Sequence, residues 1–183
     1  MPSDRRQLRG TVLVEDRRTE RFFRNLLDCL GFDKRKFIFR PAPAGKGDAG
    51  VWVGAQYTAE VEILRKKRDQ RHLALVAVRD GDNNGFVLEK AGLDSFVKRK
   101  PDELIATPVP TWSIETWLLA LLGDDTIDET GSQKQEFEKR YPGKAERQAL
   151  REAAQAWRAR TGQVPSVPSL SDGRAEMNRI DPD

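Results

Sequence analysis

The sequence has little of what builds covalent cross-links or soft metal centres. It holds one cysteine, Cys29, in 183 residues, which excludes an internal disulfide and a Cys-rich zinc site. Cys29 falls on the apolar side of an expected helix and is read as core. The single histidine, His72, precedes an apolar run and is read as structural. Long hydrophobic runs are missing too. The densest, "WLLALL", is six residues, against the roughly 20 that a membrane helix needs. The opening "MPSDRRQLRG" has arginines with no apolar stretch behind them to make a signal peptide. The expectation is a cytoplasmic protein with no membrane partner. An excess of one charge is also lacking: 32 Lys and Arg stand against 29 Asp and Glu, a net +3. The basic residues nevertheless cluster in "RRQLR" (5–9), "RKKRDQR" (65–71) and "KRK" (98–100). Solvated helix faces explain such runs on their own; beside an acidic metal site they would suit a phosphate backbone.

What is there alternates between two periods. "TVLVE" (11–15), "KFIFR" (36–40), "LALVAV" (73–78) and the proline-broken "DELIATPVP" read as four short strands. Between them, Phe23, Leu26, Leu27 and Leu30 recur at helical spacing, with Gly31 as the stop. Further helices are expected from the loop "PAPAGKGDAG" to about Arg68, over 84–99, and in "SIETWLLALLG", with Ser113 as N-cap and Gly123 as stop. Strands alternating with helices predict a mostly parallel, doubly wound sheet. After residue 123 the chain turns polar ("DDTIDETGSQKQ"). It regains a helix over about 144–160 and passes through the Pro/Ser connection "TGQVPSVPSLSDG". Residues 1–123 are therefore read as the core and 124–183 as a helical extension packed on it.

In an open parallel sheet, ligands gather at the carboxyl ends of the strands. Glu15 ends the first strand, Asp80 and Asp82 end the third, and Glu115 opens the helix after the fourth. Strand alternation would send Asp80 and Asp82 to one side. Each has an ordinary explanation: an Asp-Gly turn for the pair, helix capping for Glu15 with Asp16, the helix dipole for Glu115. Together they make an all-oxygen set of the kind Mg²⁺ or Mn²⁺ takes.

Two rival patterns fit the same residues less well. "DGDNNGFVLEKA" matches an EF-hand loop at Asp80, Asp82, Asn84 and Gly85, but its twelfth position is Ala91 rather than Glu, and a strand precedes it. "VLVEDRRTERFFRNLLDCLGF" looks like the opening of a phosphoacceptor receiver domain. Against that, Asp80 follows Asp16 at long range, and no late strand-end lysine appears after "LIATPVP".

"VLVE", "VAVRDGD" and "WSIETWLL", in that order, resemble the strand-end Glu, the D-x-D motif and the S-x-E element of Toprim domains of the OLD-family nuclease kind. The resemblance covers about residues 11–123. It implies a Rossmann-like Toprim fold, a four-stranded sheet flanked by helices with the helical extension added. It implies a Mg²⁺- or Mn²⁺-dependent endonuclease using a two-metal mechanism on DNA, with RNA the lesser alternative. The resemblance assigns metal binding to Asp80 and Asp82, a ligand or general-base role to Glu15, a second-metal role to Glu115 and a positioning role to Ser113. Asp16 or Glu20 would complete the second site, Asp16 standing where the family has glycine. Of the late lysines Lys134, Lys139 and Lys144, Lys134 is preferred as the catalytic one. Tyr57 and Tyr141 lie in no topoisomerase context, so covalent strand transfer is not expected. OLD proteins carry an ATPase domain that this chain lacks, so a separate ATPase subunit is the expected partner, in bacterial defence or repair. An oligomer is compatible with the sequence. The alternative is a receiver-like or degenerate Toprim module that binds metal or a partner without cleaving nucleic acid.

Overall fold

The structure, a computed structural model, describes residues 7–67, 72–159 and 166–180. Parts of the basic runs 5–9 and 65–71 and the start of the Pro/Ser connection lie outside the described residues. Four strands, β1 (Arg9–Val14), β2 (Phe37–Pro41), β3 (Leu73–Ala77) and β4 (Ile105–Ala106), form one sheet in the order β2-β1-β3-β4. Every pairing is parallel: Gly10 sits opposite Phe37 and Ala74, and Leu75 opposite Ile105. The expected α/β architecture is present, with a sheet that is wholly rather than mostly parallel.

Helices cover both faces, as parallel connections require. The period of two sorts the strand residues between the two layers. Val12, Val14, Ala74, Val76 and Val78 point into the larger core, with α1 (Arg17–Cys29), α4 (Ile114–Leu121), α6 (Lys144–Ala159) and α7 (Pro168–Met177). Leu13, Leu73, Leu75 and Ala77 point the other way, onto α2 (Ala49–Lys66) and α3 (Gly85–Phe96). All five residues of β3 are buried, which is why that segment reads as a continuous apolar run.

The helix ends follow local chemistry. Asp16 accepts the Thr19 amide at 2.8 Å to start α1, and Gly31 at φ +88° ends it, with the Phe32 amide reaching back to the Leu27 carbonyl. Asp48 accepts the Val51 amide at 2.9 Å to start α2. Ser113 stands at the N-cap of α4, but its hydroxyl makes no capping bond.

The C-terminal third shares the larger core. Trp157 of α6 lies 6.1 Å from Phe22 and 5.8 Å from Trp117 (centroids), joining α1, α4 and α6. Burying rings of this size contributes about 2–3 kcal/mol each. Two helices not expected from sequence complete this layer, α5 (Lys134–Arg140) and α7. α5 is anchored by the buried Phe137. α7 sets Gly173 against the Trp117 ring more closely than a Cβ would allow.

Candidate functional site

Glu15 follows β1 directly, and its Oε1 accepts the backbone N–H of Asp80 at 2.9 Å. That bond ties the ends of the two central strands together. Asp80 and Asp82, however, lie beyond β3 in a loop, so strand alternation does not place them. Asp82 has φ +41° and is exposed, while Asp80 is half-buried. The expectation that they project from one strand face is corrected accordingly. The loop is held by the segment before α4. The Gly81 amide donates to the Pro110 carbonyl at 2.8 Å, and the Asp82 amide to the Trp112 carbonyl at 3.0 Å. Trp112 itself has φ +65°. Two non-glycine residues in left-handed conformations thus face each other across one bridge, each costing about 1–3 kcal/mol that the surroundings must offset. Gly81 is required between the aspartates, because a Cβ there would meet the Pro110 oxygen at 2.9 Å.

Asp80 is the hub of the electrostatics. Burial pushes its carboxyl well above the usual range, and the charges of Glu15, Asp16, Glu115 and Asp82 push it further. Glu15 is raised to about 7, chiefly by burial; the Asp80 amide opposes the shift and the Asp82 charge adds to it. Asp82 is raised by partial burial and by Asp48 and Glu89, against Arg79. Asp80 therefore senses Glu15, Asp82 and Glu115 at a single rim, and the three raised carboxyls, Glu15, Asp80 and Asp82, would be more comfortable with a cation nearby.

Glu115 is 1 % exposed, with Ser113 just before it at the start of α4. One Glu115 oxygen bonds to the Arg18 guanidinium, while its Oε2 and the Ser113 hydroxyl are buried without protein hydrogen-bond partners. Arg18 also reaches Glu138 of α5 and Glu146 of α6, each at 3.2 Å. The Ser113 segment is braced from the C-terminal third. Glu129 accepts from the Thr111 hydroxyl at 2.9 Å and the Ser169 amide at 3.0 Å, and the Ser169 hydroxyl accepts from the Thr111 amide at 3.2 Å.

The remaining expectations fare differently. Asp16 lies near Asp80 but spends one oxygen capping α1. Glu20 is buried in ion pairs with Arg17 at 2.7 Å and Arg24 at 2.9 Å, so it is already neutralised. Lys134 is exposed at the start of α5, and its ammonium makes no ion pair among the described residues. Tyr57 is buried in the smaller core with its hydroxyl pushed up to about 12, which suits packing and not nucleophilic attack. His72 lines a hollow with Arg9 and Lys36.

The sequence reading missed Asp48, Arg79 and Gly50. A Cβ on Gly50 would lie 3.0 Å from Arg79 Nε and 3.2 Å from both Asp48 Oδ1 and Glu15 Oε1, so its bare Cα leaves the space where these groups meet. Arg79 is held by Glu89 at 2.8 Å. The available signal was Asp48 as a helix N-cap ahead of an apolar period: helices after strands in this fold start at the carboxyl rim.

The basic runs also need correcting. Arg9 opens β1, Lys66 ends α2 just before β3, and 98–100 follow α3 and precede β4, so all stand at the amino rim, opposite the carboxylates. Arg65 is paired with Glu103 at 2.6 Å, and Arg99 with Asp94 at 2.9 Å.

Among the described residues, no three His, Cys, Asp or Glu side chains are already gathered as a metal-binding group. The chemistry of the donor set does fit a hard divalent cation: carboxylate and hydroxyl oxygens only, two of them buried without a partner, around an aspartate overloaded with negative neighbours. No helix among the described residues is long and apolar enough to cross a membrane. Comparison with protein-family models, with curated proteins and with solved structures found no match.

Proposed function

We infer that the protein is a metal-dependent nuclease acting on DNA phosphodiester bonds with Mg²⁺ or Mn²⁺. The observation that carries this reading is Asp80, whose carboxyl is pushed upward by burial and by four other acids, three of them from two distant parts of the chain and the fourth from its own loop. Asp80 and Asp82 would hold one ion, and Glu115 with the Ser113 hydroxyl would serve a second. Divalent ions bound there would stabilise charge on the phosphate and on the attacking and leaving oxygens. Glu15, at about 7, titrates near neutrality and is suited to take the proton of the attacking water as its oxygen bonds to phosphorus and the ester P–O bond breaks. Arg79, beside Glu15 and Asp82, would hold the loop's anions in place. A cytoplasmic setting, a separate ATPase subunit and a role in bacterial defence or repair belong to the same reading, by analogy with OLD-family proteins.

The test is plasmid nicking with Mn²⁺ or Mg²⁺, with and without the ATPase encoded nearest the gene. Wild-type protein should nick, and Asp80→Asn should not. Nicking by Asp80→Asn at the wild-type rate removes the assignment.

A second reading is a receiver-like or degenerate module that cleaves nothing. Two observations favour it: Asp80 stands among Glu15, Asp16 and Asp82, and Arg18 already neutralises one oxygen of Glu115. Incubation with acetyl phosphate decides it. A mass gain of one phosphoryl group that Asp80→Asn abolishes would establish the receiver version, whereas an unmodified, nicking protein rules it out.

A further inference from the structure

The described residues of the basic runs visible in the sequence sit at the wrong rim to hold a strand entering the carboxylate site. The fold builds a different cationic surface from residues that form no run. Between α1 and α6 lies a groove of about 420 Å³ lined by Arg21, Arg24, Lys34, Arg35, Arg147 and Arg151, with Asn25 and Leu150. No carboxylate lines it. Four of the cations are steadied from outside the lining by single acids: Arg21 by Glu146 at 3.4 Å, Arg24 by Glu20 at 2.9 Å, Lys34 by Asp28 at 2.9 Å and Arg35 by Asp33 at 2.9 Å. Arg147 and Arg151 have no such partner among the described residues, and both are exposed. They stand four apart on α6, where like charges repel across one turn, an arrangement relieved by an anion between them.

We propose that the α1–α6 groove binds the phosphodiester backbone of DNA. Guanidinium forks match phosphate oxygens, and five of the six cations are arginines. The floor under the groove is rigid, because Phe22 of α1 packs on Trp157 of α6. Position favours nucleic acid over a small anion. The α1 wall of the groove, Arg21 to Asn25, is about 6 Å long, which matches about two phosphate steps along one strand of duplex and exceeds what one small anion spans. The groove meets the site through shared partners: Glu146 binds both Arg21 and Arg18, and Arg18 binds Glu115. Arg21 marks the end of the groove nearest that site, while Lys34 and Arg35, just before β2, mark its other end toward the amino rim. The groove also gives the C-terminal third a role, since α6 supplies half its wall. The choice of DNA as the polyanion rests on the nuclease reading; the binding itself does not.

The experiment is fluorescence anisotropy of a short labelled DNA duplex in EDTA, so that cleavage plays no part, over a salt series from about 50 mM upward. Wild-type protein should bind with a log K that falls linearly with log salt. Arg147→Ala/Arg151→Ala should weaken binding by about tenfold and lower the salt slope by about two, one for each lost phosphate contact. Arg147→Lys/Arg151→Lys should keep most of the affinity, and Lys98→Ala/Lys100→Ala, at the far rim, should bind within about twofold of wild type. Melting curves confirm that these surface variants fold. An Ala pair that binds like wild type overturns the proposal, as do equal losses in both Ala pairs, or no wild-type binding at low salt. So does binding of phosphatidylserine vesicles that depends on Arg147 and Arg151 while DNA is ignored. Binding without nicking by the wild type, even with the ATPase and Mn²⁺ present, leaves the groove assignment standing and removes the nuclease reading; nicking by an Ala pair with unchanged affinity does the reverse.

Discussion

Asp80 and Glu15 are residues whose charge the fold discourages. A carboxyl whose pKa is higher folded than unfolded destabilises the folded chain once the unfolded form ionises. For Glu15, raised from 4.5 to about 7, that penalty grows from pH 4.5 and is complete above pH 7. Asp80 acts in the same direction. The ion-free protein is therefore expected to melt higher at pH 5 than at pH 8, and Mn²⁺ should stabilise it more at pH 8. Asp80→Asn should raise the ion-free melting temperature at pH 8 by a few degrees, corresponding to about 1 kcal/mol, while abolishing nicking. Thermal melts in EDTA and in Mn²⁺ at the two pH values measure this; a lower ion-free melt for Asp80→Asn contradicts it. Gly81→Ala is a separate residue-scale test. Its Cβ would press on the Pro110 oxygen, so a loss of about 1–3 kcal/mol and a marked drop in nicking are expected, although no carboxylate has been touched.

At the scale of elements, the C-terminal helices serve as props. Ser169, near the start of α7, accepts from the Trp117 indole at 2.7 Å and from the Thr111 amide at 3.2 Å, and donates to Glu129. Ser169→Ala strands those groups in a buried setting, costing about 1–3 kcal/mol. Because Thr111 leads directly into Trp112 and Ser113, nicking should fall in parallel; urea melts and the nicking assay report the two effects separately. Gly173→Ala should cost a similar amount by overpacking against the Trp117 ring, with less effect on nicking. These props explain which elements could be read from sequence. β1, β3 and α1 announce themselves because their periods are local and their buried faces apolar. "KQEFEKR" carries one buried anchor, Phe137, and "PSLSDGRAEM" is small and polar, so α5 and α7 exist through contacts made far away in the chain. The pairing of Arg18 with Glu115, 97 residues apart, is likewise invisible until the fold is closed. Glu15, Asp80 and Glu115 were legible because parallel topology sends strand ends to one rim, whereas Asp48 and Arg79 looked like ordinary loop residues.

Across the whole molecule, one buried acid works against the trend set at the site. Glu176 of α7 pairs with Arg99 and with Lys90 at 3.1 Å, and accepts the Thr107 amide at 2.9 Å, joining α7 to α3 and β4. Those partners outweigh its burial and hold it down at about 2. Its stabilisation is present above pH 4.5 and is lost as pH falls through 2. With Glu15 and Asp80 acting in the opposite sense, the ion-free chain should be most stable near pH 5. Glu176→Gln should cost about 3 kcal/mol at pH 7 and much less near pH 2, which denaturant melts at the two pH values would measure. Equal losses at both would show that packing, not charge, is what Glu176 provides.

The bridge between Asp82 and Trp112 carries one more consequence, for descent. Two segments 30 positions apart are buttoned together through backbone atoms, the N–H groups of Gly81 and Asp82, which any residue but proline carries, and the carbonyls of Pro110 and Trp112. Gly81 apart, substitutions around the button are constrained less by side-chain contacts than by backbone conformation, and inserting or deleting a single residue on either side of it would misalign both acids at once. Distant cousins of this chain should be recognised by conserved spacing across residues 78–85 and 109–115 sooner than by shared letters.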